Sequence, residues 1–577
     1  MADAFQVSGK NKQALFTLKV HRGDGMSLLA MNWKKGKPPK DFVGFAIEYK
    51  EPGGDKFFAL KNRLAFPGTE GSVNANRLST RLSPIQKFRW VHFPRNAELP
   101  GAFTYQVTPV FMNGADELSY GEQQEVAIEL RRETYPGKLN VTFTRGFVSS
   151  QAFVDRYGAD AIPTLLPAKA DLGLSFVPTH AKADEALAWM GFEARSAILE
   201  VLEEAIADKT AEVRAVLYDL NEPGIVSRLE TLGKRLKVII DDDGAHGKPK
   251  SGESLAAKRL KASAGDDHVK RQHLGKLQHN KTVVADGKDV QAAVCGSTNH
   301  SWRGFFVQNN NAIVVRGKKP VKIFMTAFED YWANDGVAGF GRTGSAVWND
   351  LGVPGIDAQI GFSPRLKKNA VLQSIAKDMG GAESSLFFSL AFLYQTPGAI
   401  RNAIKKVKKD KTVFSYGISD HAVKDLNGRT ASGVALQKPD GKVTVVQPAA
   451  LTKNVPQPFK SEPTGGGGTR MHHKFIVIDF DKPTARVYMG SYNFSLAADT
   501  SNGENLLLIR DRRIAVSYMI EALRLFDHYH FRVAQMEAKK KKEKLQLDKP
   551  PRKAGERPWW NEDYTNARKI LDRELFA

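Results

Sequence analysis

Residues 471–505 read MHHKFIVIDFDKPTARVYMGSYNFSLAADTSNGEN. Within them stand His472-x-Lys474-x4-Asp479, then Gly490-Ser491-x-Asn493, then Glu504. The apolar runs Phe475–Ile478 and Ala485–Met489 have the length and β-branched content of buried strands. Residues two apart on an extended segment project to one side. His472 therefore projects with Lys474, and Ser491 with Asn493. An imidazole, an ammonium, a hydroxyl and a carboxamide gathered in this way suit a tetrahedral anion such as phosphate.

The pattern occurs a second time. Residues 278–311 read QHNKTVVADGKDVQAAVCGSTNHSWRGFFVQNNN. His279, Lys281 and Asp286 precede His472, Lys474 and Asp479 by 193 residues, and Gly296, Ser297 and Asn299 precede Gly490, Ser491 and Asn493 by 194. Two copies at nearly equal spacing report a repeated structural unit.

This doubled H-x-K-x4-D segment with a following G-S-x-N resembles the signature of the phospholipase D superfamily, and two copies match its two-lobed members. The resemblance implies an α/β fold of two pseudo-symmetric αβα lobes. The segment GSYNFSLAADTSNGENLLLI is most similar to the short bacterial nucleases and cardiolipin-hydrolase relatives, which place an acid eleven residues after the motif asparagine. Glu504 occupies that place in the second copy, and Asn310 departs from the pattern in the first.

With 577 residues the chain is long enough for three to four domains, and 42% hydrophobic residues allow sizeable cores. The net charge of +21 implies anionic partners, with DNA or RNA favoured and anionic phospholipid as the alternative. The single cysteine, Cys295, allows no disulfide within the chain. The first residues lack the basic and apolar regions of a secretory signal. The best apolar run, Leu386–Tyr394, falls far short of the roughly 18 residues that cross a bilayer. A soluble cytoplasmic protein is the default expectation, with export by a route needing no signal peptide left open.

Residues 1–133 differ in character. Runs at Leu15–Val20, Ser27–Trp33, Phe42–Tyr49, Lys87–His92, Ala102–Phe111 and Glu125–Leu130, separated by Gly/Pro/Asn turns, predict a β-sandwich. Trp33, the strand FVGFAIEY and Tyr105 resemble the fibronectin type III pattern, which implies Tyr105 as a corner tyrosine. Nothing in the sequence identifies this domain's partner. The first lobe is expected at 139–335, the second at 336–535 and a basic tail at 536–577. Within the first lobe the reading gives helices at Asp184–Ala207 and Ile225–Leu236, and a basic helix at Leu255–Leu274 able to track a polyanion toward His279. Residues 451–470 predict a long loop with a Gly465–Gly468 run. Trp559-Trp560 is expected to dock the tail onto the lobes, with stacking on substrate as the alternative; Phe305-Phe306 and Trp559-Trp560 are the pairs able to meet lipid.

A phosphodiester resists attack because its oxygens are anionic, so charge neutralisation, a nucleophile and a proton donor are all required. Lys281, Lys474, Asn299 and Asn493 are candidates to hold the non-bridging oxygens, with Ser297 and Ser491 adding donors. One histidine would attack phosphorus and the other would serve as acid and base. The superfamily resemblance implies His279 as nucleophile and His472 as acid/base. Glu504 is the candidate carboxylate that orients an imidazole, and Asn310 would do so without charge. Asp286 and Asp479, at the far strand ends, read as structural. His473 should point away from His472. No H-E-x-x-H or clustered Cys/His set is present, so neither a cofactor nor a metal is expected in the reaction.

Overall fold

The computed structural model describes residues 4–577 apart from 69–77, 95, 131–132, 147–152, 154–155, 159–160, 397, 428–430, 440–441 and 447–470. The predicted loop at 451–470 lies outside the described residues. Two compact units are present, Met1–Arg132 with His530–Ala577, and Glu133–Tyr529.

The first unit is built on two antiparallel sheets. One joins Gln6–Ser8, Phe16–Arg22, Ser27–Trp33 and Arg89–His92; the other centres on Ala102–Met112, paired with Phe42–Lys50, Leu118–Tyr120 and Gln124–Glu129. Alternating side chains such as Phe16, Leu18 and Val20 meet Phe45, Ile47, Phe103 and Val107 in one core. Tyr105 lies within a strand, not at a corner, and its hydroxyl accepts from Ser27 Oγ at 2.9 Å. Residues 536–577 belong to this unit and do not stand apart as a tail, and both tryptophans pack against its own core. Trp559 stacks on Phe88 with centroids 5.3 Å apart and donates Nε1–H to the Phe42 carbonyl at 3.0 Å. Trp560 and Phe576 are buried in this unit too, because large aromatic surfaces gain most from leaving water.

The second unit contains a seven-stranded and a nine-stranded sheet. In the first, Leu139–Phe143, Asn311–Arg316, Gln291–Gly296, Lys281–Asp286 and Glu212–Leu217 run antiparallel in that order, and Leu236–Ile240 then adds in parallel. The second sheet repeats the arrangement with Asp357–Ser363, Glu504–Arg510, Arg486–Gly490, Lys474–Ile478 and Ser385–Leu390, followed by parallel Phe414–Ala422. In each, the parallel pair is joined through a helix, Pro223–Leu232 or Gly398–Lys409, as a parallel connection requires. The central strands are buried on both faces, which explains their unbroken apolar runs.

The basic helix is shorter than predicted. It covers Gly252–Ala264 and ends at Gly265, whose φ of 109° suits glycine; Val269–Arg271 is an edge strand. Several basic side chains of the predicted stretch are engaged locally. Arg259 pairs with Glu230 at 2.6 Å, Lys270 with Asp335 at 2.7 Å, and Arg271 donates to backbone carbonyls. The stretch does not form a continuous basic track. Phe305 and Phe306 are fully buried and face no solvent. Among the described residues, no helix is long and apolar enough to cross a membrane.

Candidate active site

Each copy of the motif puts its histidine just before one strand, its Gly-Ser turn after the next, and Asn310 or Glu504 at the start of a third. These ends meet between the two sheets. His472 N–H donates to the Asn309 carbonyl at 3.2 Å, Gly503 N–H to Leu277 at 2.8 Å, and Asn505 Nδ2 to Asn280 Oδ1 at 3.0 Å. Residues from both copies are thereby held in one buried cluster.

The two histidines are oriented by residues of the opposite copy. His279 Nδ1 lies 2.7 Å from Glu504 Oε2, and His472 Nδ1 lies 2.8 Å from Asn310 Oδ1. Lys474 Nζ approaches His472 Nε2 at 3.1 Å. An ammonium can only donate, so His472 carries its proton on Nδ1 and its lone pair on Nε2. Both imidazoles are pushed well below the ordinary histidine pKa, first by burial and then by the charges of Lys281 and Lys474. Burial also pushes the Glu504 carboxyl up, to about 8, against the pull of Lys281. The His279–Glu504 pair thus holds one proton between Nδ1 and Oε2.

Both lysines are buried, and each Nζ donates to the carbonyl of the histidine two residues before it. An aromatic wall stands beside each pair. Tyr218 lies 4.6 Å from the His279 ring and 4.5 Å beneath Lys281 Nζ; Phe392 lies 5.9 Å from His472 and 5.5 Å from Lys474 Nζ. Neither ring was visible as a motif, since each merely follows a strand end. Arg524 is a further addition: with Glu521 it forms a buried ion pair behind the site, and Glu521 also holds His473 Nε2 at 2.8 Å.

The serine hydroxyls are engaged at or beside the orienting residues. Ser297 Oγ donates to Asn310 Oδ1 at 3.0 Å, and Ser491 Oγ accepts the Asn505 N–H at 3.0 Å, next to Glu504 in the chain. The motif asparagines differ: both amide atoms of Asn299 and Oδ1 of Asn493 have no hydrogen-bond partner among the described residues, although Asn299 is only 1% exposed. Unpaired polar atoms in the interior are costly, and they are found where a ligand completes them. Asp479 accepts backbone N–H groups of Glu383, Ser384 and Ser385, whereas among the described residues Asp286 accepts from Gln291 Nε2 at 3.3 Å. The two aspartates are therefore not equivalent.

Paired His-x-Lys elements, crossed by their orienting partners, define a site suited to handling a phosphoryl group. Residues 380–525 match the family model described as Cardiolipin synthase, PLD-like domain. A 48-residue segment is 48% identical to a protein named Phospholipase D from Rickettsia prowazekii (strain Madrid E), covering 8% of this chain and 22% of that one. The match thus spans about a fifth of that relative's length. Among solved structures, phosphatidylserine synthase of Haemophilus influenzae Rd KW20 aligns with a TM-score of 0.38 and 12% identity, over 67% of this chain and 91% of that one. Nuc of Salmonella typhimurium, a phospholipase D family member, aligns with a TM-score of 0.19 and 23% identity over 24% and 87%. Residues 380–525 are thus similar to a phospholipase D-like domain, and the similarity to named relatives is confined to a short segment of the chain.

Proposed function

We propose that the chain is a metal-independent phosphodiesterase acting on nucleic acid through a phosphohistidine intermediate, with its two pseudo-symmetric lobes each contributing half of the site. The crossed pairs His279–Glu504 and His472–Asn310 carry this reading. Once substrate has drawn Lys474 aside, His472 Nε2 takes a proton from solvent; the Nε2 lone pair of His279 then attacks phosphorus, the phosphorus–oxygen bond to the leaving group breaks, and His472 Nε2 passes that proton to the departing oxygen. Water then gives its proton to His472 as its oxygen bonds to phosphorus, and the phosphorus–nitrogen electrons return to His279.

The asymmetry supports this division of roles. Glu504 offsets the positive charge that His279 gains in the intermediate, whereas neutral Asn310 leaves His472 the weaker base and the readier acid. An arriving phosphate monoanion draws Lys474 away from His472 Nε2 and raises that imidazole's affinity for a proton. Lys281, Lys474 and the unpaired amides of Asn299 and Asn493 hold the non-bridging oxygens, while Ser297 and Ser491 position Asn310 and Glu504. The net charge of +21 and the burial of Phe305, Phe306 and Trp560 favour nucleic acid over lipid. Nucleic-acid binding should weaken steeply with salt.

The test offers purified protein plasmid DNA and, separately, cardiolipin or phosphatidylcholine vesicles, with His472→Ala as control. DNA cleavage that survives EDTA and disappears in the variant is expected. Release of lipid head groups without DNA cleavage would replace the nuclease reading by the lipid one, and an adduct mapped to His472 in place of His279 would reverse the roles.

A further inference from the structure

A second polar cluster lies behind Tyr218, outside the residues used above. Asp219, His246 and Glu253 present ligand atoms that all lie within 4.8 Å of one another, and Asp219 and Glu253 are only 5% and 4% exposed. Asp219 follows the strand Glu212–Leu217, His246 belongs to the turn after Leu236–Ile240, and Glu253 opens the helix Gly252–Ala264.

The geometry around these side chains is that of a built site. His246 Nδ1 is 2.8 Å from Asp241 Oδ2, which fixes the tautomer and leaves Nε2 facing Glu253, 3.9 Å from its Oε1. A carboxylate behind an imidazole in this way is the usual partner of a metal-binding histidine. Asp241 is itself held by the Gln278 N–H at 2.6 Å. The His246 carbonyl accepts from Ser251 Oγ at 2.6 Å and Arg271 at 2.8 Å, so the turn is stapled in place. Asp219 takes Ser301 and Arg303 on Oδ2, and Glu253 takes the Leu220 N–H on Oε1. His300 stands beside this cluster in the chain's fold: its carbonyl accepts the Asn221 N–H at 3.3 Å, the next residue, Ser301, donates to Asp219, and its own ring is buried to 1% with both nitrogens unpartnered among the described residues.

We propose that Asp219, His246 and Glu253 bind one divalent transition-metal ion of the zinc class. Around zinc held at about 2.0–2.2 Å, ligand atoms stand roughly 3–4 Å apart, so modest side-chain rotation closes the present spacing. The mixed nitrogen and oxygen set suits zinc better than calcium or magnesium, which prefer oxygen alone. The ion stands away from the reacting phosphorus. The Tyr218 ring lies 4.6 Å from His246 and 4.6 Å from His279, so the metal would stiffen the wall against which the nucleophile rests.

The inference is independent of the proposed reaction, because its test uses no substrate. Full-length protein stripped with chelator and dialysed is titrated with zinc chloride, with metal content and melting temperature recorded. One zinc per chain and a higher melting temperature are expected. His246→Gln and Glu253→Gln should each weaken binding at least tenfold, and Asp241→Asn by about 10- to 100-fold. His246→Gln, the least buried change, serves if Glu253→Gln fails to fold by circular dichroism. No zinc retained by the wild type, or equal zinc binding in wild type and variants, would overturn the site.

Discussion

Glu504 and Asn310 occupy equivalent places in the two copies of the motif, yet one is a carboxylate and the other an amide. Glu504→Gln keeps a hydrogen-bond acceptor beside His279 Nδ1 but removes the charge. Turnover should fall by roughly 10²- to 10⁴-fold with little change in KM, as for other imidazoles deprived of their carboxylate. Asn310→Ala leaves His472 Nδ1 without its partner and should cost about tenfold. In the wild type, turnover should rise with pH as Glu504 gives up its proton near 8; pH–rate profiles check this, and the rise should be missing in Glu504→Gln. The identities of these two residues were legible in the sequence. Their exchange between copies was not, because a 193-residue offset says nothing about which half faces which histidine.

At the scale of elements, the strands carrying the motif emerged closely from the apolar runs, since strands buried on both faces leave little room for other patterns. The basic helix was misjudged because charge spacing alone cannot reveal that Gly265 ends it or that Lys270 and Arg271 belong to a sheet edge. The motif glycines illustrate why the turns are so uniform. Gly296 and Gly490 have φ of 136° and 141°, and a Cβ at either would stand 2.5 or 2.3 Å from the carbonyl oxygen of Asn311 or Asn505. Gly490→Ala should therefore destabilise the protein by about 2 kcal/mol and, by displacing Ser491 and Asn493, lower turnover more than stability alone explains. Denaturant titration at a temperature where the variant is fully folded, paired with kinetics, separates the two effects.

For the whole molecule, two compact units predict two thermal transitions in calorimetry. Trp559→Ala removes a ring packed on Phe88 and Phe42 and should lower the stability of the sandwich-containing unit by about 3 kcal/mol while leaving the other transition in place. A single transition shifted as a whole would show instead that the units unfold together. Composition and the doubled motif pointed to the α/β class and singled out both His-Lys pairs as candidates for phosphate chemistry, because spacing along a strand dictates which side chains share a face. Only the tertiary structure decided that Glu504 serves His279, that Tyr218 and Phe392 wall the site, that the C-terminal residues belong with the N-terminal sheets, and that Asp219, His246 and Glu253 converge. Each of these contacts joins segments far apart in the chain, and no local periodicity encodes which distant partner a side chain meets.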